Sequence, residues 1–334
     1  MHSYMRIYNY YKDLILSERL PAGAKLPSIR KGAVQFQMSR TTLETAYLLL
    51  AAEGYIIARP QSGYYVTDIA RKRRKSQEVP DGDQMCIRDS NSAGYGFAFP
   101  AGEDEAVRAV IPKLMAWAEE EEQPFCLYGI TKENFAKLEE WFPGIFEIEY
   151  ERDYADYVYE AEKLATLSGK KLHSKRNHLN KFKAVHEGNW TYEKITQENL
   201  EECFQMALKW RNLNGCDADS EKNAEMCVTL NSLRLFKELG LTGGLLRVDG
   251  KIVAFTLGEP VNDDTFVVHI EKAYADVDGA YTMINQQFVE KEIAGRYKYV
   301  NREDDVGMEG LRKAKLSYRP VFLVEKGVVT LKDK

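Results

Sequence analysis

The chain has 334 residues, of which 44% are hydrophobic and 11% aromatic, enough to bury sizeable cores and too many for a disordered protein. Its formal net charge of −5 conceals an asymmetry: residues 1–80 carry 13 Lys/Arg against 6 Asp/Glu, and the remainder 33 against 45. Such a contrast points to a nucleic-acid-binding head on an acidic body.

No uninterrupted apolar run reaches the roughly 20 residues of a membrane helix, and the charged, tyrosine-rich start, MHSYMRIYNYYKD, is unlike a signal peptide. The expected location is cytoplasmic. Five widely spaced cysteines without a CxxC pair, and histidines without HExxH, give no disulfide framework and no metal site; no cofactor is expected either.

In chain order, residues 4–17 put Tyr4, Ile7, Tyr10, Tyr11, Leu14 and Ile15 near helical spacing, and Pro21-Ala22-Gly23 stops that helix. Ser28 opens a second short helix to about Gln35. Ser39 caps a third, TTLETAYLLLAAEG, with Leu43, Ala46, Tyr47 and Leu50 on one face and Gly54 at its end. YIIARPQSGYYV then reads as strand, turn, strand, with Gly63 at the turn. Two helices joined by a tight turn and followed by a hairpin make a winged helix-turn-helix, whose third helix enters a major groove.

The successive segments LPAGAKLPSIR, MSRTTLETAY and AAEGYIIARPQSGYYV resemble the GntR-family DNA-binding domain over nearly its whole length. The resemblance implies DNA as partner and binding as a homodimer on two half-sites. Arg30, Ser39, Arg40, Thr41 and Thr42 would meet phosphates and base edges, with Arg59, Ser62 and Gly63 on the wing. Two residues depart from the family pattern: Gly32 replaces a leucine, and Gln37 replaces the turn glycine. A basic run, RKRRK, follows at 71–75 and reads equally as linker or phosphate contact.

The body begins with a strand in YGFAF. A helix DEAVRAVIPKLMAWAEE, interrupted at Pro112, comes next, then strand FCLYGI, helix ENFAKLEEWF and strand FEIEY. SGKKLHSKRNHLNKFKAV is a helix with six Lys/Arg and no acid between Lys170 and Lys183, equally a solvated face or a phosphate-binding one; Ser168-Gly169-Lys170 is no P-loop, lacking its upstream glycine. Residues 197–213 form a helix with a core-facing stripe. Asp249-Gly250 marks a hairpin turn between GLLRV and KIVAFTL. Strand DTFVVHIEKA, helix YTMINQQFVEKEIA, strand YKYVNRED, helix MEGLRKAKLSY and strand VFLVE complete the chain.

An antiparallel meander feeding a helix is the plan of a GNAT acyltransferase. The segments YVYEAEKLATLSGKKLHSKRNHLNKF, VHIEKAYADVDGAYTMINQQF and VNREDDVGMEGLRKAKLSYRP resemble the phosphatidylglycerol lysyltransferase C-terminal domain family, with tandem GNAT-like units similar to Fem-type peptidyltransferases. The resemblance implies aminoacyl transfer from aminoacyl-tRNA. The loop AYADVDGAY suits CoA poorly, because Asp276 and Asp278 would repel pyrophosphate.

The expected class is therefore α+β: a winged helix-turn-helix head (1–70), a linker or artificial junction (71–93), a partial first GNAT-like unit (94–167) and a second unit (168–334). His269, Glu271, Glu303 and Asp304 lie at strand ends where a GNAT sheet opens its cleft, which reads equally as a catalytic site with His269 or Glu271 as base and as a salt-bridged strand end. Lys175, Arg176, Asn177 and Lys181 hold the tRNA backbone. Lys272, Tyr281 and Asn285 join the substrate site, and Arg312 and Lys315, in the family's GLRxxK pattern, clamp an anion. The alternative is a GntR-type regulator whose body senses a ligand. QMCIRDS, at 84–90, resembles a translated sequencing-adapter remnant, so an artificial join of two gene fragments competes there with a polar linker.

Overall fold

A computed structural model of the chain describes residues 3–59, 62–68, 96–216 and 220–332. Residues 84–90, with the junction or linker expected there, lie outside the described residues, as do Cys86 and the 71–75 basic run. The chain divides into two compact units: residues 1–81 with 188–255 and 272–281, and residues 82–187 with 256–271 and 282–334.

The first unit opens with helices Ser3–Leu16, Ile29–Phe36 and Arg40–Ala52, then the antiparallel pair β1 (Ile56–Arg59) and β2 (Gly63–Val66). This is the winged helix-turn-helix expected from the periodicity. Ser28 accepts from the Lys31 amide at 3.3 Å and Ser39 from the Thr42 amide at 3.0 Å, so both caps are satisfied at the positions the sequence marked. Leu43, Ala46, Tyr47 and Leu50 are fully buried.

The two departures from the family pattern have local explanations. A Cβ on Gly32 would come within 2.4 Å of Leu43 Cδ2, so the missing side chain lets these helices approach closely. Gln37 adopts φ 53°, the left-handed conformation a glycine would take without strain.

The same unit holds β7 (Trp190–Lys194) paired antiparallel with β8 (Thr242–Val248), and helices Leu200–Leu213 and Ser220–Arg234. Here the head meets body helices: Tyr4 stacks on Phe204 with ring centroids 5.7 Å apart, and Arg234 pairs with Glu53 at 2.6 Å. Asp249 and Gly250 both have positive φ, 49° and 74°, the geometry of the expected hairpin turn before β9 (Lys251–Pro260).

The second unit contains β3 (Phe97–Ala98), β4 (Cys126–Thr131), β5 (Phe146–Tyr150) and β13 (Lys326–Leu331), a four-stranded sheet in the order β3-β4-β13-β5. Its core gathers Phe97, Ile111, Leu127, Leu138, Phe146 and Val329. Helix Asp104–Glu120 runs through Pro112 without the expected interruption. Val107, Ile111, Leu114 and Ala118 face the core while Pro112 is exposed, which leaves the carbonyl it frees on the solvated side.

Strands β6 (Asp156–Glu160), β10 (Thr265–Ala273), β11 (Tyr299–Asn301) and β12 (Phe322–Val324) join β7, β8 and β9 in a mixed seven-stranded ladder, β12-β6-β11-β10-β9-β8-β7. Strands from either side of residue 167 thus share each sheet: β6 lies among the later strands, and β13 among the early ones. The basic segment begins as a 3-10 turn, Lys170–Leu172, before helix His173–Val185. Helix Ala280–Phe288 ends in a π-helical turn, Val289–Ile293, rather than continuing as an α-helix.

Candidate functional site

Five residues of the second unit form a largely buried polar cluster. Glu271, from β10, receives Arg302 Nη2 at 3.0 Å on one carboxylate oxygen and Asn285 Nδ2 at 3.2 Å on the other. Both charged side chains are nearly closed off, with Glu271 13% and Arg302 12% exposed. Tyr318 supplies a ring over which the Arg302 guanidinium stands at 5.1 Å and the Lys175 ammonium at 4.1 Å. Burial, and then the neighbouring Arg302 charge, depress the Lys175 pKa. Arg302 Nη1 and Asn285 Oδ1 are buried without a hydrogen-bond partner among the described residues. Since both side chains hang on the same carboxylate, an unused donor and an unused acceptor flank Glu271.

His269 lies two residues before Glu271 on β10. Its Nδ1 faces Glu303 Oε1 at 2.7 Å and its Nε2 faces Glu259 Oε1 at 3.0 Å. The hydrogen bond to Glu303 leads the causes that raise its pKa, so the ring is held as an imidazolium with both nitrogens occupied. Neither nitrogen is left to act as a base in this arrangement. Asp304 pairs with Lys326 at 3.4 Å.

The two expected anion clamps are committed within the protein. Arg312 Nε and Nη2 each reach wholly buried Asp305 at 2.8 Å, and Nη2 also meets Asp153 at 2.5 Å. That guanidinium, chiefly, holds the Asp305 carboxyl well below the usual range, with the Tyr157 hydroxyl and Gly307 amide adding to it. Lys315 Nζ donates to the carbonyls of Arg302, Glu303 and Asp304, which uses all three of its protons, and burial pushes it down to about 8. Together they pin the 302–308 loop, where Glu303 and Val306 carry positive φ of 56° and 43°.

Of the basic helix, only Lys175 joins the cluster. Arg176 donates to the carbonyls of Leu167, which ends the short helix Ala161–Thr166, and, at 2.8 Å, Gly169. Asn177 Nδ2 contacts His173 at 3.3 Å, and Lys181 is exposed. Lys272 and Tyr281 belong to the first unit. Lys272 is buried there on the Trp210 ring, 4.3 Å from its centroid, and paired with Glu225; Tyr281 is 41% exposed. Sequence reasoning passed over Arg302, Tyr318, Tyr159 and Glu259. Arg302 carried one signal, a cation directly before the acidic pair in VNRED. Among the described residues no cluster of His, Cys, Asp or Glu suits a metal, and no helix is long and apolar enough to cross a membrane.

In the head, Arg30, Ser39, Arg40 and Thr41 are exposed at the starts of the second and third helices, with Thr42 half-buried by the Ser39 cap. On the wing, Arg59 lies over the Tyr65 ring at 4.5 Å, Lys25 joins it at 5.5 Å, and Ser62 meets the Tyr65 hydroxyl at 2.6 Å beside Gly63. Lys25 and Tyr65 were not anticipated, although Lys25 stands in the LPAGAKLPS segment.

A winged helix-turn-helix joined to an acyltransferase-fold body is the class these features define. Residues 3–66 match the bacterial regulatory proteins of the gntR family, a GntR-type DNA-binding head. The chain belongs to the family described as phosphatidylglycerol lysyltransferase, C-terminal, which it matches over residues 55–329. It is similar to a conserved protein of unknown function from Bacteroides thetaiotaomicron, 42% identical with a TM-score of 0.67, over 74% of this chain and 82% of that one. L-PGS from Bacillus licheniformis shares the fold at 17% identity and a TM-score of 0.52, over 75% and 81% of the two chains. An uncharacterized protein of Mycoplasmoides gallisepticum is 25% identical over 193 residues, 57% of this chain, and the match spans 61% of that relative's length.

Proposed function

We propose that the body is an aminoacyltransferase that takes its acyl group from aminoacyl-tRNA, and that the head binds DNA. The observation that carries this reading is the pair of unused polar atoms flanking Glu271: a donor, Arg302 Nη1, and an acceptor, Asn285 Oδ1. An aminoacyl ester presents the complementary pair, a carbonyl oxygen and an α-ammonium three bonds away from it.

The ester is already activated, so orientation and oxyanion stabilisation are the main requirements. The acceptor's amine or hydroxyl attacks the ester carbonyl carbon. As that bond forms, the C–O bond to the ribose breaks, the nucleophile gives up a proton and the departing ribose oxygen takes one. Arg302 Nη1 donates to the carbonyl oxygen as negative charge develops on it, and Asn285 Oδ1 with Glu271 orients the α-ammonium. His269, clamped by Glu303 and Glu259, is a positioning residue that fixes the 302–308 loop against β10. The exposed Lys181 and Lys171 extend the positive surface toward an RNA backbone. The division into head (1–70), linker or artificial junction (71–93), partial first GNAT-like unit (94–167) and second unit (168–334), with β6 and β13 exchanged between the two units' sheets, is part of this proposal.

The test is mass spectrometry of charged tRNA incubated with the full chain, seeking deacylation or a modified acceptor. Absence of tRNA binding at low salt overturns the reading. A second reading, a regulator whose body senses a ligand, is supported by the Tyr4–Phe204 and Glu53–Arg234 contacts between head and body helices. A duplex affinity that Arg234→Ala leaves unchanged would reject it.

A further inference from the structure

The cluster around Glu271 carries more positive charge than an aminoacyl ester needs. Arg302 is matched by Glu271. Lys315, though cationic, spends its three protons on backbone carbonyls. Lys175 is different: it is half-buried, lies on the Tyr318 ring, and has no carboxylate or carbonyl on its ammonium among the described residues. With Lys315 facing the carboxylates of Asp304 and Glu303 as well, two cations, Arg302 and Lys175, share Glu271, and of these only Lys175 retains all its N–H donors. The ring that would ordinarily receive a cationic side chain, Tyr318, already has Lys175 at 4.1 Å and Arg302 at 5.1 Å.

From this arrangement we infer that the aminoacyl group taken by the site has an acidic side chain, whose carboxylate is received by Lys175 beside Tyr318, and that basic aminoacyl groups are excluded. The inference rests on the proposed aminoacyl site around Glu271. A lysyl or arginyl chain entering here would meet two like charges and an occupied aromatic face. A glutamyl or aspartyl carboxylate instead pairs with an ammonium already stripped of much of its water, and desolvation makes such charge-assisted hydrogen bonds stronger. Lys175 is thus a specificity-determining residue, separate from Arg302 and Asn285, which meet the main-chain atoms common to every amino acid.

The experiment is calorimetric titration of the full chain with the α-amides of L-glutamic acid and L-lysine, stable mimics that need no tRNA. The expected result is at least about tenfold tighter binding of the glutamic acid amide, the scale of one charge-assisted hydrogen bond. Lys175→Met, which keeps most of the stem on Tyr318, abolishes that preference, and Lys175→Glu shifts it toward the lysine amide. Equal binding, tighter binding of the lysine amide, binding of neither, or a preference that survives both substitutions overturns the inference. Binding of the glutamic acid amide with no reaction on any charged tRNA would instead count against the aminoacyl-tRNA reading and leave the specificity of the pocket standing.

Discussion

Replacing Glu271 with Gln tests whether the buried cluster is one coupled unit. The substitution keeps the shape and one acceptor oxygen but removes the charge opposite Arg302, and both side chains are only 13% and 12% exposed. Breaking one side of a buried pair typically costs about 3–5 kcal/mol, because the remaining charge is left uncompensated. Arg302 keeps its contact with Tyr318, 5.1 Å from the ring centre, and the Gln oxygen still accepts a hydrogen bond. The lower end of that range, about 3 kcal/mol, is therefore expected. For a unit of this size, that corresponds to a fall in melting temperature on the order of 10 °C. Calorimetry of Glu271→Gln, Arg302→Met and the double variant completes a thermodynamic cycle. The double variant is expected to be more stable than the sum of the two single losses by about 2 kcal/mol, because it removes both partners of the pair together. Additive losses, or a fall below 3 °C (about 1 kcal/mol) for Glu271→Gln, would refute a coupled buried pair.

Three further outcomes follow from the same structure. His269 has a raised pKa in the folded state, so the stability it contributes is full below about pH 6.5 and is lost as pH rises through the raised value; the deficit of His269→Gln should be largest near pH 6 and shrink by pH 9, and a deficit that grows with pH would reject the carboxylate clamp. Arg40 and Arg59 are exposed, so Arg40→Ala and Arg59→Ala should leave the head folded while each lowers the slope of log affinity against log salt on duplex DNA by about one; an unchanged slope removes that residue from the phosphate contacts. Gln37→Gly relieves a φ of 53° and should stabilise the head by about 1 kcal/mol in denaturant titration, with a neutral or destabilising result contradicting the strain.

The head was legible because its determinants are local. Ser39 announces a helix that begins at the next residue, Leu43, Ala46, Tyr47 and Leu50 repeat at the helical period, and Asp249-Gly250 in the body does the same for a two-residue turn. The four-stranded sheet was not legible in that way. Residues Lys326–Leu331 enter between β4 and β5, which lie far earlier in the chain, and neither alternation nor turn chemistry encodes which distant strand a segment will pair with. Pro112 misled for a related reason: a local rule predicts a break, but the packing of Ile111 and Leu114 against a core assembled from distant strands keeps the helix whole.

The site shows the same division between local and long-range information. Alternation along β10 put His269 and Glu271 on one face, yet their roles depend on Glu259, Asn285 and the adjacent Arg302 and Glu303, supplied by three other places in the chain. A histidine read in isolation is a candidate base; a histidine with a carboxylate on each nitrogen is a held cation. Arg312 and Lys315 fit a recognised pattern, but the pattern did not distinguish an arginine facing a ligand from one neutralising a buried aspartate. Asp305, with no exposed surface and both oxygens on Arg312, makes that distinction: without that guanidinium the loop carrying Arg302 and Glu303 would bury a carboxylate whose remaining cation, Arg152, stands off at 3.6 Å. The GLRxxK residues thus serve the site indirectly, by holding in place the Arg302 that the sequence reading had passed over.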